Sequence, residues 1–173
     1  MSRRKTGGVL VLGIGNTLKG DDAVGPYVAA QLRTSVREPG GGRRAPVIAI
    51  DCGTVPENYT SIVRKMQPDC LVLVDAADMS LDPGCVRIIP KERAGALALS
   101  THGMPLSLFI DYVRGLCGEV MLVGIQPRGM SLGDGLSAPA RAAADWLLNV
   151  IREGRLSRVP LLGKSSFGDD EVR

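Results

Sequence analysis

The chain has 173 residues, with 21 Lys and Arg against 18 Asp and Glu for a net charge of +3, and aromatic residues make up only 3% of it. That is the size of one domain, burying roughly 70% of its unfolded surface, with a core built from Val, Leu, Ile and Ala. The basic excess lies in Ser2-Arg3-Arg4-Lys5 and Arg43-Arg44, which suits solvated ends and loops. A nucleic-acid surface would want a structured basic face with aromatic platforms. No run approaches the ~20 apolar residues that span a bilayer, and no N-terminal stretch has the make-up of a signal peptide. Cys52, Cys70, Cys85 and Cys117 form no C-x-x-C pair and no zinc-finger spacing. A reducing cytoplasm is the expected home, and neither nucleic acid nor membrane insertion is expected.

The first element is Val9-Leu10-Val11-Leu12 running into Gly13-Ile14-Gly15-Asn16, the pattern of a fully buried strand of a parallel sheet. A short loop carries Asp21-Asp22. A helix follows, with Pro26 in its first turn and Val24, Val28 and Leu32 on one face. Thr34–Pro46 is a Gly/Pro/Arg-rich surface connection rather than a domain boundary. Val47–Asp51 reads as a second strand, and Glu57–Gln67 as a helix stopped by Pro68. Cys70–Asp75 is a third strand, apolar on both faces until its terminal carboxylate, and Val86–Ile89 a short fourth.

The link Ala76–Cys85 holds ten residues, fewer than the dozen or so of a parallel crossover, so the fourth strand is expected to run antiparallel to its neighbour. Pro105 opens a helix marked by Leu106, Phe109, Ile110 and Val113, which closes near Gly115. Val120–Ile125 is the fifth strand. Ala140, Ala143, Leu147, Val150 and Ile151 mark the last long helix, with Pro139 near its start and Gly154 past its end. Residues 1–155 thus form a single domain. The tail from Leu156 to Arg173 has mixed polarity and is a candidate for disorder. Strands alternating with helices give an α/β sandwich with a mostly parallel five-stranded sheet. The strand order is not legible.

On this reading the first loop carries Asp21 and Asp22, the second strand ends in Asp51, and the third ends in Asp75 with Asp78 beyond it. His102, the only histidine, lies just before a helix. These positions fall on one edge of a parallel sheet, where open α/β folds place ligands. Carboxylates converging with one imidazole suit a divalent transition ion such as Zn, Ni, Mn or Fe and leave coordination positions open. A histidine at a helix N-terminus is held towards the neutral, metal-binding form. The competing reading is local: Asp22 caps the Pro26 helix, Asp51 binds nearby loop amides, and His102 is a loop residue.

Other motifs fail. The third glycine of G-x-G-x-x-G would fall at Leu18. Gly163-Lys164-Ser165 lacks the first glycine and the strand of a P-loop. Gly129-Met130-Ser131-Leu132-Gly133 matches G-x-S-x-G, but the sole His lies upstream of it.

Several stretches, in order, resemble the hydrogenase maturation endopeptidases. They are Gly13-Ile14-Gly15-Asn16 with Gly20-Asp21-Asp22-Ala23-Val24-Gly25-Pro26, Asp51-Cys52-Gly53-Thr54-Val55-Pro56-Glu57-Asn58, and Val74-Asp75-Ala76-Ala77-Asp78. Further on come Thr101-His102-Gly103-Met104-Pro105-Leu106 and Leu122-Val123-Gly124-Ile125-Gln126-Pro127. The resemblance covers roughly residues 8 to 150 and is most similar to the branch serving the formate-hydrogenlyase type of [NiFe] hydrogenase.

The resemblance implies a twisted five-stranded sheet in a three-layer α/β sandwich. It also implies an endopeptidase that removes the C-terminal extension of the precursor of a [NiFe] hydrogenase large subunit after nickel insertion. Its metal-contacting residues map to Asp22, Asp75 and His102, with Asp22 preferred to Asp21 because the pattern uses the second acid of the pair. Asp22 and Asp75 are also the candidate catalytic acids. The nickel is expected to be carried by the substrate, with no organic cofactor. Cys52 departs from the usual middle glycine, and the loop from Arg37 to Arg44 is longer and more basic than expected. The alternatives are a non-catalytic metal- or nucleotide-binding module and an assembly chaperone without protease activity.

Overall fold

The computed structural model describes residues 7–33, 46–99 and 103–163. Among them, β1 (Val9–Gly13), β2 (Val47–Asp51), β3 (Cys70–Ala76), β4 (Val86–Ile89) and β5 (Glu119–Ile125) form one sheet. Its order is β2-β1-β3-β5-β4. The first four strands of that order run parallel, and β4 runs antiparallel to β5. The antiparallel strand is therefore the one expected, but its partner is β5 rather than β3: the short link carries the chain past β5 to the sheet edge.

Strand alternation sorts the side chains into two layers. Val11, Val72, Val74 and Val123 face α1 (Val24–Arg33) and α5 (Ala138–Arg152). Leu10, Leu12, Leu71, Leu73 and Leu122 face α2 (Thr60–Met66), α3 (Lys91–Leu97) and α4 (Leu106–Arg114). Both faces of β1 and β3 are covered, which is why these strands read as unbroken apolar runs. In α4, Leu106, Phe109, Ile110 and Val113 are buried at helical spacing. Each such side chain contributes about 1.5–3 kcal/mol.

The helix expected over Glu57–Gln67 begins as a 3-10 turn, Pro56–Tyr59, before α2. Helix α3 had no sequence signal, since Ala94 is its only fully buried residue and Lys91-Glu92-Arg93 carry no apolar stripe. The connection expected at Thr34–Pro46 lies outside the described residues except for Pro46.

Part of the segment expected as an open tail is packed. Val159 and Leu162 are buried, the Ile88 amide donates to the Pro160 carbonyl at 2.8 Å, and the Leu162 amide donates to the Ile88 carbonyl at 2.8 Å. These bonds cover the outer side of edge strand β4, whose backbone groups would otherwise face water. Residues 164–173 lie outside the described residues.

One close approach fixes the carboxyl edge of the sheet. A Cβ on Gly25, in the first turn of α1, would sit 2.3 Å from the Ile14 carbonyl oxygen and 2.4 Å from that of Val74. A Cβ on Gly13 would sit 2.1 Å from the Gly25 carbonyl oxygen. Only glycine at these positions lets α1 begin directly against the ends of β1 and β3, which places the loop before it above the two central strands.

Candidate functional site

Asp21 and Asp22 lie in a 3-10 turn, Gly20–Ala23, between β1 and α1. Both are buried, at 1% and 2% exposure, yet their surroundings differ. Asp21 points away from the strand ends to the loop after β5. Its Oδ1 accepts from the Ser137 amide at 2.7 Å. Its Oδ2 accepts from the Arg128 amide at 2.7 Å, the Gly129 amide at 3.4 Å and the Ser137 hydroxyl at 2.8 Å. Burial alone would raise the carboxyl's pKa, but these donors outweigh it and hold the group below its ordinary value. Ser137 is also the N-cap of α5, its hydroxyl accepting from the Ala140 amide. Asp21 is thus a structural clamp that joins the first loop to the start of the last helix.

Backbone bonds extend the clamp: the Asp21 amide donates to the Gly129 carbonyl, the Gly20 amide to Asp134 and the Gly133 amide to Leu18. Asp22, its neighbour in the turn, bonds within the first loop. Its Oδ2 accepts from the Asn16 amide at 3.0 Å. Gly15, at φ +142°, lets the chain fold back so closely that a Cβ there would lie 1.8 Å from the Asp22 carbonyl oxygen. The 3-10 turn itself packs against β3.

Asp75 is the penultimate residue of β3, opposite Gly124 of β5, and is 1% exposed. Alternation from Leu71 and Leu73 turns it to the face covered by α2, α3 and α4. The described residues place Asp22 in the loop that follows β1 and Asp75 near the carboxyl end of β3, the parallel neighbour of β1. His102 lies outside the described residues. Its two flanks are placed: the Leu99 amide donates to the Ala76 carbonyl, one residue past Asp75, and α4 starts at Leu106 after Pro105. Among the described residues, no three acidic, cysteine or histidine side chains are close enough to hold a metal ion by themselves.

Two other carboxylates do not join. Asp51 is exposed and accepts from the Gly53 amide at 2.9 Å, the local role weighed for it. Asp78 is exposed and accepts from the Ser80 amide at 3.1 Å and from Gln126 Nε2 at 3.3 Å. Glu57, read from the sequence as a helix start and as part of a resembling stretch, lies beside Gly103. Its Oε1 lies 3.1 Å from where a Cβ on Gly103 would be, and its Oε2 is buried without a hydrogen-bond partner among the described residues.

Nucleophilic chemistry by a thiol or a serine is not supported at this edge. Cys52 is buried, and burial together with the charge of Asp51 pushes its thiol up to about 12, so thiolate is absent near neutral pH. Ser131 sits in an exposed loop, not at a strand-to-helix elbow.

A family model for the HycI hydrogenase maturation protease matches residues 26–153. The chain is 40% identical over 119 residues to the hydrogenase 3 maturation protease of Escherichia coli strain K12, covering 68% of this chain and 72% of that one. Its structure is similar to that of the endopeptidase HycI from Escherichia coli, with a TM-score of 0.78 at 30% identity over 92% and 99% of the two chains. It is also similar to the [NiFe] hydrogenase maturation protease HycI of Thermococcus kodakarensis, with a TM-score of 0.72 at 32% identity over 86% and 92%.

Proposed function

The chain belongs to the hydrogenase maturation protease family and is a peptidase; we propose that it removes the C-terminal extension of a [NiFe] hydrogenase large-subunit precursor once nickel is in place. The observation that carries the reading is the pair of buried carboxylates, Asp22 in the loop that follows β1 and Asp75 near the end of the adjacent β3. Asp22, Asp75 and His102 complete the coordination of nickel already bound by the precursor, so the enzyme reads whether the metal has been loaded. Oxygen and imidazole donors with open positions suit such an ion. Docking the metal fixes the scissile bond beside the acids, converting an encounter into a positioned reaction.

Water then attacks the carbonyl. Either the substrate's nickel polarises the bond or a carboxylate of the pair accepts the water's proton. The chain's own contribution is common to both: a rigid first loop, held by Asp21, and a carboxylate locked in a central strand. No helix of the described residues is long and apolar enough to cross a membrane. The four cysteines are free, which fits processing in a reducing cytoplasm.

The test is the intact mass of a nickel-loaded precursor after incubation with the wild type, Asp22→Asn, Asp75→Asn and His102→Ala. Wild type removes a C-terminal peptide, and each variant does so at least about 100-fold more slowly while keeping its fold. Unimpaired processing by the variants would remove these residues from the site. No processing by the wild type would favour the chaperone reading.

A further inference from the structure

Gln126 follows β5 and is 7% exposed. Its Oε1 accepts from the Met79 amide at 2.7 Å and the Leu81 amide at 3.3 Å. Its Nε2 donates to Asp78 Oδ1 at 3.3 Å. Its own backbone amide donates to the Cys85 carbonyl, and its carbonyl accepts from the Gly84 amide. One buried residue therefore binds both ends of the loop between β3 and β4. That loop includes Ser80 at φ +57°, a left-handed conformation that a non-glycine residue keeps only when held.

The loop's first residues also carry the neighbouring segment. Ala77 pairs with Ala98 in an antiparallel bridge, the Asp78 amide donates to the Leu97 carbonyl, and the Leu99 amide donates to the Ala76 carbonyl. Residues 97–99 are thus registered against residues 76–78, immediately after Asp75. We infer that Gln126 is a positioning residue for the peptidase reaction, fixing the β3 exit loop and with it the register between Asp75 and the segment at residues 97–99. It touches no reacting atom. The primary amide suits this role because one oxygen serves two backbone donors while the nitrogen serves a carboxylate, and neither Glu nor Leu does both.

This inference rests on the proposed processing activity, but part of its test does not. Gln126→Leu, Gln126→Glu and the pair Gln126→Glu/Asp78→Ala are compared with wild type. In the pair, the carboxylate introduced at position 126 still accepts from Met79 and Leu81. It no longer faces a second carboxylate at 3.3 Å, and the Ser80 amide, in an exposed turn, turns to water. The readouts are kcat and KM for the precursor and amide exchange at position 78 and Leu99, with Leu147 of α5 as an internal reference.

Gln126→Leu is expected to lower kcat by about tenfold or more with KM nearly unchanged, since small displacements near a reacting centre cost that much or more. Exchange at Asp78 and Leu99 should rise at least about tenfold relative to Leu147, as expected for local rather than global opening. The pair should recover both properties relative to Gln126→Glu. Unchanged kcat in Gln126→Leu, exchange that rises equally at Leu147, or a pair no better than Gln126→Glu would overturn the inference. If Gln126→Leu does not fold, the pair against Gln126→Glu decides. Absence of processing by the wild type would count against the proposed function, and the exchange data would still judge the hold on the loop.

Discussion

Asp21→Asn should cost stability. The replacement is nearly isosteric, but an NH2 group must take the place of one carboxylate oxygen. If it replaces Oδ1 it faces the Ser137 amide at 2.7 Å; if it replaces Oδ2 it faces the Arg128 amide at 2.7 Å and the Gly129 amide at 3.4 Å. Either way a buried N–H loses its acceptor, at about 1–3 kcal/mol. The surviving bonds lose their charge assistance, roughly 1 kcal/mol each. Relief of the buried charge returns part of this, leaving a net loss of about 3 kcal/mol. For a domain of this size that is a fall of roughly 6–12 °C in Tm. The assay is thermal and urea unfolding of both proteins across pH.

The donors hold the Asp21 carboxyl below its ordinary 3.8. Its contribution is therefore present in full above that value and lost as pH falls through the lower folded-state pKa. The gap between wild type and Asp21→Asn should be constant near neutrality and should narrow in acid. A loss under about 0.5 kcal/mol, within the range of an ordinary surface change, or a gap that widens in acid, would refute the clamp.

Gly25→Ala is expected to cost about 3 kcal/mol, because its Cβ would meet backbone oxygens of Ile14 and Val74 that cannot move aside cheaply. Gly115→Ala, where nothing lies within 4 Å, should change stability by less than about 0.5 kcal/mol; equal unfolding midpoints for the two variants would contradict this. Cys52, with its thiol pushed up to about 12, should resist alkylation in the native protein under mildly alkaline conditions and react on unfolding. Rapid native labelling, read by peptide mass, would contradict its burial.

The sequence made the central strands legible because β1 and β3 are covered on both faces and so carry unbroken apolar runs that stop at a glycine and at Asp75. The placement of Asp22 followed from the same pattern. Strand order was not legible, because β1 pairs with β3 and β3 with β5, and those pairings leave no mark on either strand alone. The difference between Asp21 and Asp22 was likewise hidden. Asp21's defining partner, Ser137, is 116 residues away, and only the family resemblance separated the two acids. Helix α3 was missed because Lys91-Glu92-Arg93 show no apolar stripe and tertiary packing of Ala94 suffices to place it. Packing against β4 likewise orders residues 159–163, whose mixed polarity suggested an open tail. Gln126 was noticed only within a resembling stretch, since a glutamine at a strand end signals nothing until its backbone partners are seen.

The most direct test of the proposed function is the intact mass of a large-subunit precursor, nickel-loaded and nickel-free, after incubation with the wild-type protein. Loss of a C-terminal peptide from the loaded form alone is expected. Cleavage of both forms would keep the peptidase and discard nickel as its signal, and cleavage of neither would contradict the reading.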